Sequence, residues 1–420
     1  MISPRLAPLR PVRVLFLNDT ARNGGPGRSL HTILRHLDPS DVYRAVVLPR
    51  PGPVSDLLAD VCETLVYLPD FVENPVEPLG RPMRRDDLDA WAALRATRAL
   101  GNVYKMGRSL TALSRLVTRG AFDLIYCNGT TADFAGATVG LLTSTPALWH
   151  VRYTHVPDAT RALHAHLAES HTVRRIVCVS RAAAKLFAHC PGKVSVVHNA
   201  VDTSELSPAV VRRGIARAEL GLDEDAFVFG AHGRVLPRKG FVEMLRAAHV
   251  ALGAMNEHER SRAHFVIVGD TPEDIGRDHV EECRHLAREL GIERRVHFTG
   301  FRSDVRPYVR DFDIEIVSSV YEDPLPRAVI EAMALGVPVI GADVGGIGEM
   351  LVGGGGVLVP PGDVAALAQA MLSYMRDDAS RKRDGVRGRE RAVAEYDARE
   401  HAARIKTEIS LAVFGEGVAA

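Results

Sequence analysis

Two carboxylates eight residues apart, Asp323 and Glu331, bracket a turn in the segment SSVYEDPLPRAVIEAMALGVPVI, residues 318–340. The run Asp313 to Val317 reads as a strand leading into it. Pro324 and Pro326 suit the first positions of a helix, where no N–H is needed. Leu325, Ala328, Val329, Ala332 and Met333 then recur at helical spacing and form one apolar stripe for packing on a sheet. Glu331 falls off that stripe and shares a face with Arg327. If 323–331 is helical throughout, the carboxylates stand about 12 Å apart, against roughly 5 to 9.5 Å for a pair that cleaves a glycosidic bond. They suit gripping two ends of one ligand better than acting jointly on one bond.

A second charged stretch lies upstream. FVFGAHGRVLPRKG, residues 227–240, reads as a buried strand running into a loop that carries Arg234 and Lys239. Composition alone makes this a solvated basic turn. Its position, one strand into a second α/β unit, favours a ligand site, because ligands of open α/β sheets gather beyond the carboxyl ends of strands.

Asp323-x7-Glu331 followed by AMALGVPVI resembles the Glu-x7-Glu signature of retaining glycosyltransferases of family 4, which have the two-Rossmann GT-B fold. The resemblance implies that Glu331 binds the ribose hydroxyls of a nucleotide and that Asp323 lies beside the donor sugar, with intervening backbone amides on sugar and phosphate. The chain departs from the pattern twice. The first Glu is Asp323, with Glu322 as the alternative first carboxylate, and the usual Phe-Gly is Leu325-Pro326. Proline removes a backbone donor, so contacts there fall to Leu325 or Arg327. The 227–240 stretch resembles the family's Gly-Arg-x4-Lys-Gly segment, which implies that Arg234 and Lys239 hold the donor pyrophosphate. Two fixed cations stabilise the charge that accumulates as the glycosidic bond breaks, and no metal is then required.

Four more stretches match in order. VRVLFLND running into ARNGGPGRSLHTILRHL resembles the loop that approaches donor phosphate and acceptor, with Gly24 and Gly25 permitting close backbone approach. PALWHVRYTH ends with His150 and Arg152, where family members keep a His near the donor sugar; taken alone, His150 is more often a satisfied strand-end histidine. RIVCVSRAAAKLF with KVSVVHNAVDTSEL resembles the last acceptor-domain strand and the interdomain linker. ADVGGIGEMLVGGGGVLVPPGD resembles the glycine-rich loop after the donor site, with Gly348 where Pro is common. The matches cover about residues 12–400.

Composition agrees with an ordinary soluble globular protein: 420 residues, 46% hydrophobic, 25% charged and a formal net charge of zero, which argues against a nucleic-acid partner. The five cysteines show no CxxC spacing, so free thiols in a reducing cytoplasm are expected and a zinc site is not. The N-terminus has no apolar signal core, and no run reaches a membrane span. Residues 103–119 place Val103, Met106, Leu110, Leu113 and Val117 on one face, with Lys105, Arg108, Arg115 and Arg119 elsewhere. That basic amphipathic helix is the candidate for peripheral contact with the inner membrane face, although packing on the sheet explains the same stripe and is preferred. The arginines from Arg381 to Arg391 read as a solvated face.

The elements that must position these residues follow from alternating strands and helices, which imply parallel sheets. Strands are expected at 12–17, 44–48, 64–67, 123–127, 146–151, 175–179 and 194–198, then at 226–232, 264–269, 295–299, 313–317, 337–341 and 356–359. A linker near 199–210 separates the two sets, and a long loop at 70–85 is expected to read the acceptor. This pattern makes the chain α/β with two sheets, and the resemblance implies two Rossmann-like domains facing across a cleft, the GT-B arrangement. It further implies that residues 1–200 bind the acceptor, that 208–396 bind a nucleotide-sugar donor, and that a helix over 397–420 packs back on the first domain.

The expected function is transfer of a sugar, with retention, from a UDP- or GDP-linked donor to an acceptor hydroxyl in polysaccharide, glycolipid or glycosylated-metabolite biosynthesis, with neither cofactor nor metal. Asp323, His150, Arg234 and Lys239 are expected at the chemistry. Gly24, Gly25, Arg302, Glu322, Leu325, Arg327 and Glu331 are expected to bind substrate, with Phe301 and Arg302 near the base. The alternatives are a nucleotide-sugar epimerase or a sugar phosphorylase on the same architecture, and a degenerate sugar-binding module.

Overall fold

The structure, a computed structural model, describes residues 10–22, 24–71, 88–272 and 278–415. The chain divides into two compact units, residues 1–198 with 399–420, and residues 199–398. Each is built on one parallel sheet, with long apolar runs buried on both faces.

The first unit contains β1 (Val12–Asn18), β2 (Val42–Leu48), β3 (Thr64–Tyr67), β4 (Leu124–Asn128), β5 (Ala147–Val151), β6 (Val173–Cys178) and β7 (Val194–Val196). They lie in the order β3-β2-β1-β4-β5-β6-β7, and every neighbouring pair is parallel. One face packs Trp149, Ile125 and Phe187 against helices. The other packs Val14, Phe16 and Leu148 against Ile405, Ile409 and Ala412 of the final helix, Ala398–Phe414. Each of those two isoleucines contributes about 1.5–3 kcal/mol by leaving water. Arg175 Nε donates to Glu408 Oε2 at 2.7 Å and pins the same helix.

The second unit contains β8 (Phe227–His232), β9 (Ala263–Val268), β10 (Val296–Phe298), β11 (Ile314–Val317), β12 (Val339–Ala342) and β13 (Gly356–Val359). Their order is β10-β9-β8-β11-β12-β13, again all parallel. The chain reverses its direction of travel between β1 and β4 in the first sheet and between β8 and β11 in the second. Such switch points leave a crevice beyond the strand ends.

Two sequence expectations change. The helix after β11 spans Arg327–Ala334, with Pro326 as its extended N-cap. It starts later than Pro324 suggested because two prolines hold that segment extended, so Asp323 lies in the turn and the helical spacing of the carboxylates does not apply. Arg381, Arg389 and Arg391 do not form a solvated face. Arg389 donates to the carbonyls of Leu206, Ala334 and Thr203 at 2.8–2.9 Å, Arg391 to that of Gly354 at 2.8 Å, and Arg381 to Asp313 at 3.0 Å. The amphipathic stripe of 103–119 faces the first core, where Leu113 and Val117 are buried and Leu110 packs against them. Those side chains are therefore not available to lipid. Among the described residues no helix is long and apolar enough to cross a membrane. All five cysteines are free thiols. The expected acceptor-reading loop lies mostly outside the described residues.

Candidate functional site

The second sheet's switch point is bordered by the loop after β8, residues 233–240, and the turn after β11, residues 318–326. The first loop closes in a single turn of 3-10 helix, Pro237–Lys239, and reverses at Gly240 with φ +76°. A side chain at Gly240 would place its Cβ 1.8 Å from the carbonyl oxygen of Ser318, so only glycine lets the loops meet. They are stitched by Val320 N–H to Arg238 O at 3.0 Å and by Ser318 Oγ to Gly240 O at 2.8 Å.

This stitching brings Lys239 onto Asp323. The ammonium Nζ donates to Asp323 Oδ2, and Ser319 Oγ donates to the same oxygen at 3.3 Å. Asp323 is buried, whereas Glu322 beside it is exposed. Tyr321 lies under both neighbouring cations, with Arg238 4.7 Å and Lys239 5.6 Å from its ring centre. Arg234 is exposed on the same loop. The glycine-rich segment supports the turn from below, where Gly346 N–H reaches Asp323 O at 2.8 Å. Gly345, with φ +59°, approaches so closely that a Cβ would lie 2.2 Å from that oxygen.

Glu331 occupies the second half of the site. Its Oε1 accepts from Arg327 Nε at 3.1 Å, one helical turn away, and its Oε2 lies 2.9 Å from His232 Nε2. Arg327 also donates to Ala200 O at 2.9 Å. His232 ends β8, and its other ring nitrogen lies 2.9 Å from Glu315 Oε1. Burial opposes charge on His232, but the two carboxylates outweigh it and hold its pKa up to about 10. Burial likewise raises the Glu315 carboxyl, with the imidazolium acting against it. Leu325 is buried, and its carbonyl accepts from Asn199 Nδ2 at 3.1 Å.

Two expected residues are used elsewhere. Arg302 spans Tyr308 Oη and Glu219, each at 2.5 Å, so its guanidinium anchors its loop to neighbouring helices while Phe301 stays exposed. In the first unit His150 is fully buried within β5, its Nδ1 against Tyr126 Oη and its ring beside His401. Burial first, then Arg152, hold its pKa well below the usual histidine range. The ring is sealed in the sheet, which departs from the expected contact with a sugar. Arg152 is the residue beyond the strand end, donating to Asn128 Oδ1 at 2.7 Å; Asn128 in turn donates to Asn18 Oδ1 at 2.6 Å.

Gly24 and Gly25 open the helix Gly25–His36. Among the described residues, nothing lies within 4 Å of a Cβ added at Gly25, and only Pro26 Cδ at 3.9 Å meets one at Gly24. Gly27, by contrast, is required by packing, since its Cβ would come within 2.6 Å of Val54.

His232 and Glu315 were not singled out from the sequence. The available signal was a carboxylate inside IEIV, a strand that is otherwise apolar and central in its sheet.

The sequence matches the family model for Glycosyltransferase Family 4 over residues 23–205 and that for Glycosyl transferases group 1 over residues 226–377. The chain belongs to glycosyltransferase family 4. Among curated proteins it is 23% identical to the Escherichia coli UDP-Gal:alpha-D-GlcNAc-diphosphoundecaprenol alpha-1,3-galactosyltransferase, over 58% of this chain and 64% of that protein. It is 31% identical to the lipopolysaccharide core biosynthesis glycosyltransferase LpsE of Rhizobium meliloti, over 43% and 49%. The chain thus spans about half to two thirds of the length of these relatives. Among solved structures, Anabaena HepE in complex with UDP superposes with a TM-score of 0.75 at 21% identity, covering 95% of this chain and all of that one. The likeness establishes the two-Rossmann GT-B fold.

Proposed function

We propose that this family 4 chain transfers a sugar, with retention of anomeric configuration and without a metal, from a nucleoside-diphosphate sugar to an acceptor hydroxyl. The observation that carries the reading is the convergence of Lys239, Asp323 and Glu331 beyond the carboxyl ends of β8 and β11, at the switch point of the second sheet. In this reading Glu331 takes the ribose hydroxyls and Asp323 the sugar side. Lys239 and Arg234, with the N-terminus of the Arg327–Ala334 helix, stabilise the leaving diphosphate. The departing phosphate oxygens assist deprotonation of the acceptor, so the protein positions groups and stabilises charge. In the first unit, the space around Gly24 and Gly25 fits a backbone left open for a close-lying ligand. The buried His150 is assigned no contact with substrate.

UDP is the first nucleotide to test, since HepE is described in complex with UDP and the E. coli relative is named for a UDP-linked donor; GDP is the second. Both relatives are named for glycosyl transfer, LpsE in lipopolysaccharide core biosynthesis, which favours a cell-surface glycan or glycolipid acceptor. The experiment is a thermal-shift screen of nucleotide sugars, followed by measurement of acceptor-dependent release of nucleoside diphosphate. Release without acceptor, or epimerised donor, would remove the transferase reading. Binding without turnover on any acceptor would leave a sugar-binding module.

A further inference from the structure

A carboxylate with no solvent exposure stands in the middle of the second unit's sheet, and the only hydrogen-bond partner recorded for the Glu315 side chain among the described residues is His232. Its Oε1 accepts from the His232 backbone N–H at 3.2 Å as well as facing Nδ1, while Oε2 is buried without a hydrogen-bond partner among the described residues. A buried, half-satisfied carboxylate is unfavourable for folding, and packing alone gives no reason for one at this position. What it does accomplish is to fix the ring of His232, whose other nitrogen faces Glu331.

Both ring nitrogens of His232 lie 2.9 Å from carboxylate oxygens. A neutral imidazole has one N–H and could donate to only one of them; an imidazolium donates to both. The chain Glu315, His232, Glu331, Arg327 then alternates in charge. Glu331 is held at both oxygens, by Arg327 on Oε1 and by His232 on Oε2.

We propose that His232 is a positioning residue for the donor: clamped by Glu315, it orients the Glu331 carboxylate toward the ribose hydroxyls. The inference rests on the assignment of Glu331 to the ribose. His232 touches neither the sugar nor the phosphates, so its effect is on nucleotide recognition and passes entirely through Glu331.

The test compares binding of UDP and GDP with binding of their 2′,3′-dideoxy counterparts, by calorimetry, for the wild type, Glu331→Gln, His232→Gln and Glu315→Gln, each with a melting curve. The wild type should prefer the intact ribose by about tenfold or more, the scale of a charge-assisted hydrogen bond. Glu331→Gln should lose most of that preference. His232→Gln should lose a comparable part while binding the dideoxy nucleotide as the wild type does, and His232→Gln combined with Glu331→Gln should resemble Glu331→Gln alone. A merely structural role for His232 would weaken both nucleotides equally. Full retention of the preference in His232→Gln and Glu315→Gln, with loss in Glu331→Gln, would overturn the role of His232 and leave the ribose assignment standing. Absence of any preference in the wild type would overturn the ribose assignment and this inference with it. Should His232→Gln fail to fold, Glu315→Gln, which keeps the shape and removes the clamping charge, decides.

Discussion

The ammonium of Lys239 rests on the carboxylate of Asp323, across two loops that share no sequence neighbourhood. The pair couples the residue assigned to diphosphate with the one assigned to the sugar, because each sets the charge the other presents. Removing the carboxylate therefore leaves Lys239 more attractive to an anion, and not less.

Asp323→Asn is accordingly expected to bind free nucleoside diphosphate at least as tightly as the wild type while transfer falls. Glu331→Gln should bind it about tenfold more weakly, for loss of one charge-assisted contact. Glu322→Gln should change neither, since that side chain is exposed and Asp323 faces Lys239. Calorimetry with UDP and GDP, beside steady-state rates, checks all three. Equal weakening by Asp323→Asn and Glu331→Gln would remove the division of roles.

The sheets were legible because parallel strands buried on both faces read as continuous apolar runs, and each of the thirteen expected stretches coincides with a strand. Residues of the candidate site were legible where charge followed a strand end, as with Lys239 and Asp323. Charges that act inside the fold were not. Arg383 and Arg387 are exposed as expected, but Arg389 looks solvated in sequence only because the carbonyls it clamps, such as those of Thr203 and Ala334, come from distant segments. His232 and Glu315 give no local sign of being partners, being 83 residues apart. The register of the turn was displaced because two prolines can start a helix or hold a chain extended, and only the tertiary contacts at Asp323 and Leu325 decide between them.

Chelation is expected to leave turnover unchanged. The leaving diphosphate is assigned to Arg234, Lys239 and a helix N-terminus, which together supply the charge a divalent ion supplies elsewhere. The assay is acceptor-dependent release of nucleoside diphosphate with and without EDTA. Loss of activity restored by magnesium or manganese would contradict the assignment.

The His232 charge also affects stability. Its pKa stands near 10 in the folded chain, above the ordinary histidine value of 6.5. Folding therefore favours the protonated form, and that stabilisation is full below about pH 6.5 and is lost as pH rises through about 10. The wild type should lose melting temperature between about pH 6.5 and 10 more steeply than His232→Gln, all other titrating groups being common to both. Parallel curves would show that the buried chain of charges carries no such proton.

Two glycines should separate a folding role from a ligand role. Gly240→Ala forces a left-handed residue, costing about 1–2 kcal/mol, and its Cβ meets Ser318 O at 1.8 Å, so it should melt markedly lower. Gly25→Ala meets nothing within 4 Å among the described residues and should melt as the wild type does. If Gly25 is kept for close approach of a ligand, this variant should nonetheless lose turnover. Full activity in Gly25→Ala would withdraw the loop from the site.

The phosphate clamp gives the sharpest kinetic expectation. Charge-assisted hydrogen bonds contribute about 1.5–3 kcal/mol each, and the diphosphate is more negative as it leaves than in the bound donor. Removing a cation should therefore act mainly on turnover. Lys239→Ala and Arg234→Ala are each expected to lower kcat by about ten- to a hundredfold, with smaller changes in KM. Lys239→Ala also leaves the buried Asp323 without its counter-ion, so it should lose some melting temperature, whereas Arg234→Ala, at an exposed position, should not. Lys239→Ala combined with Asp323→Asn should recover that stability but not the rate. Near-normal kcat in both single variants would remove the clamp from the active site, and with it the principal support for metal-free transfer.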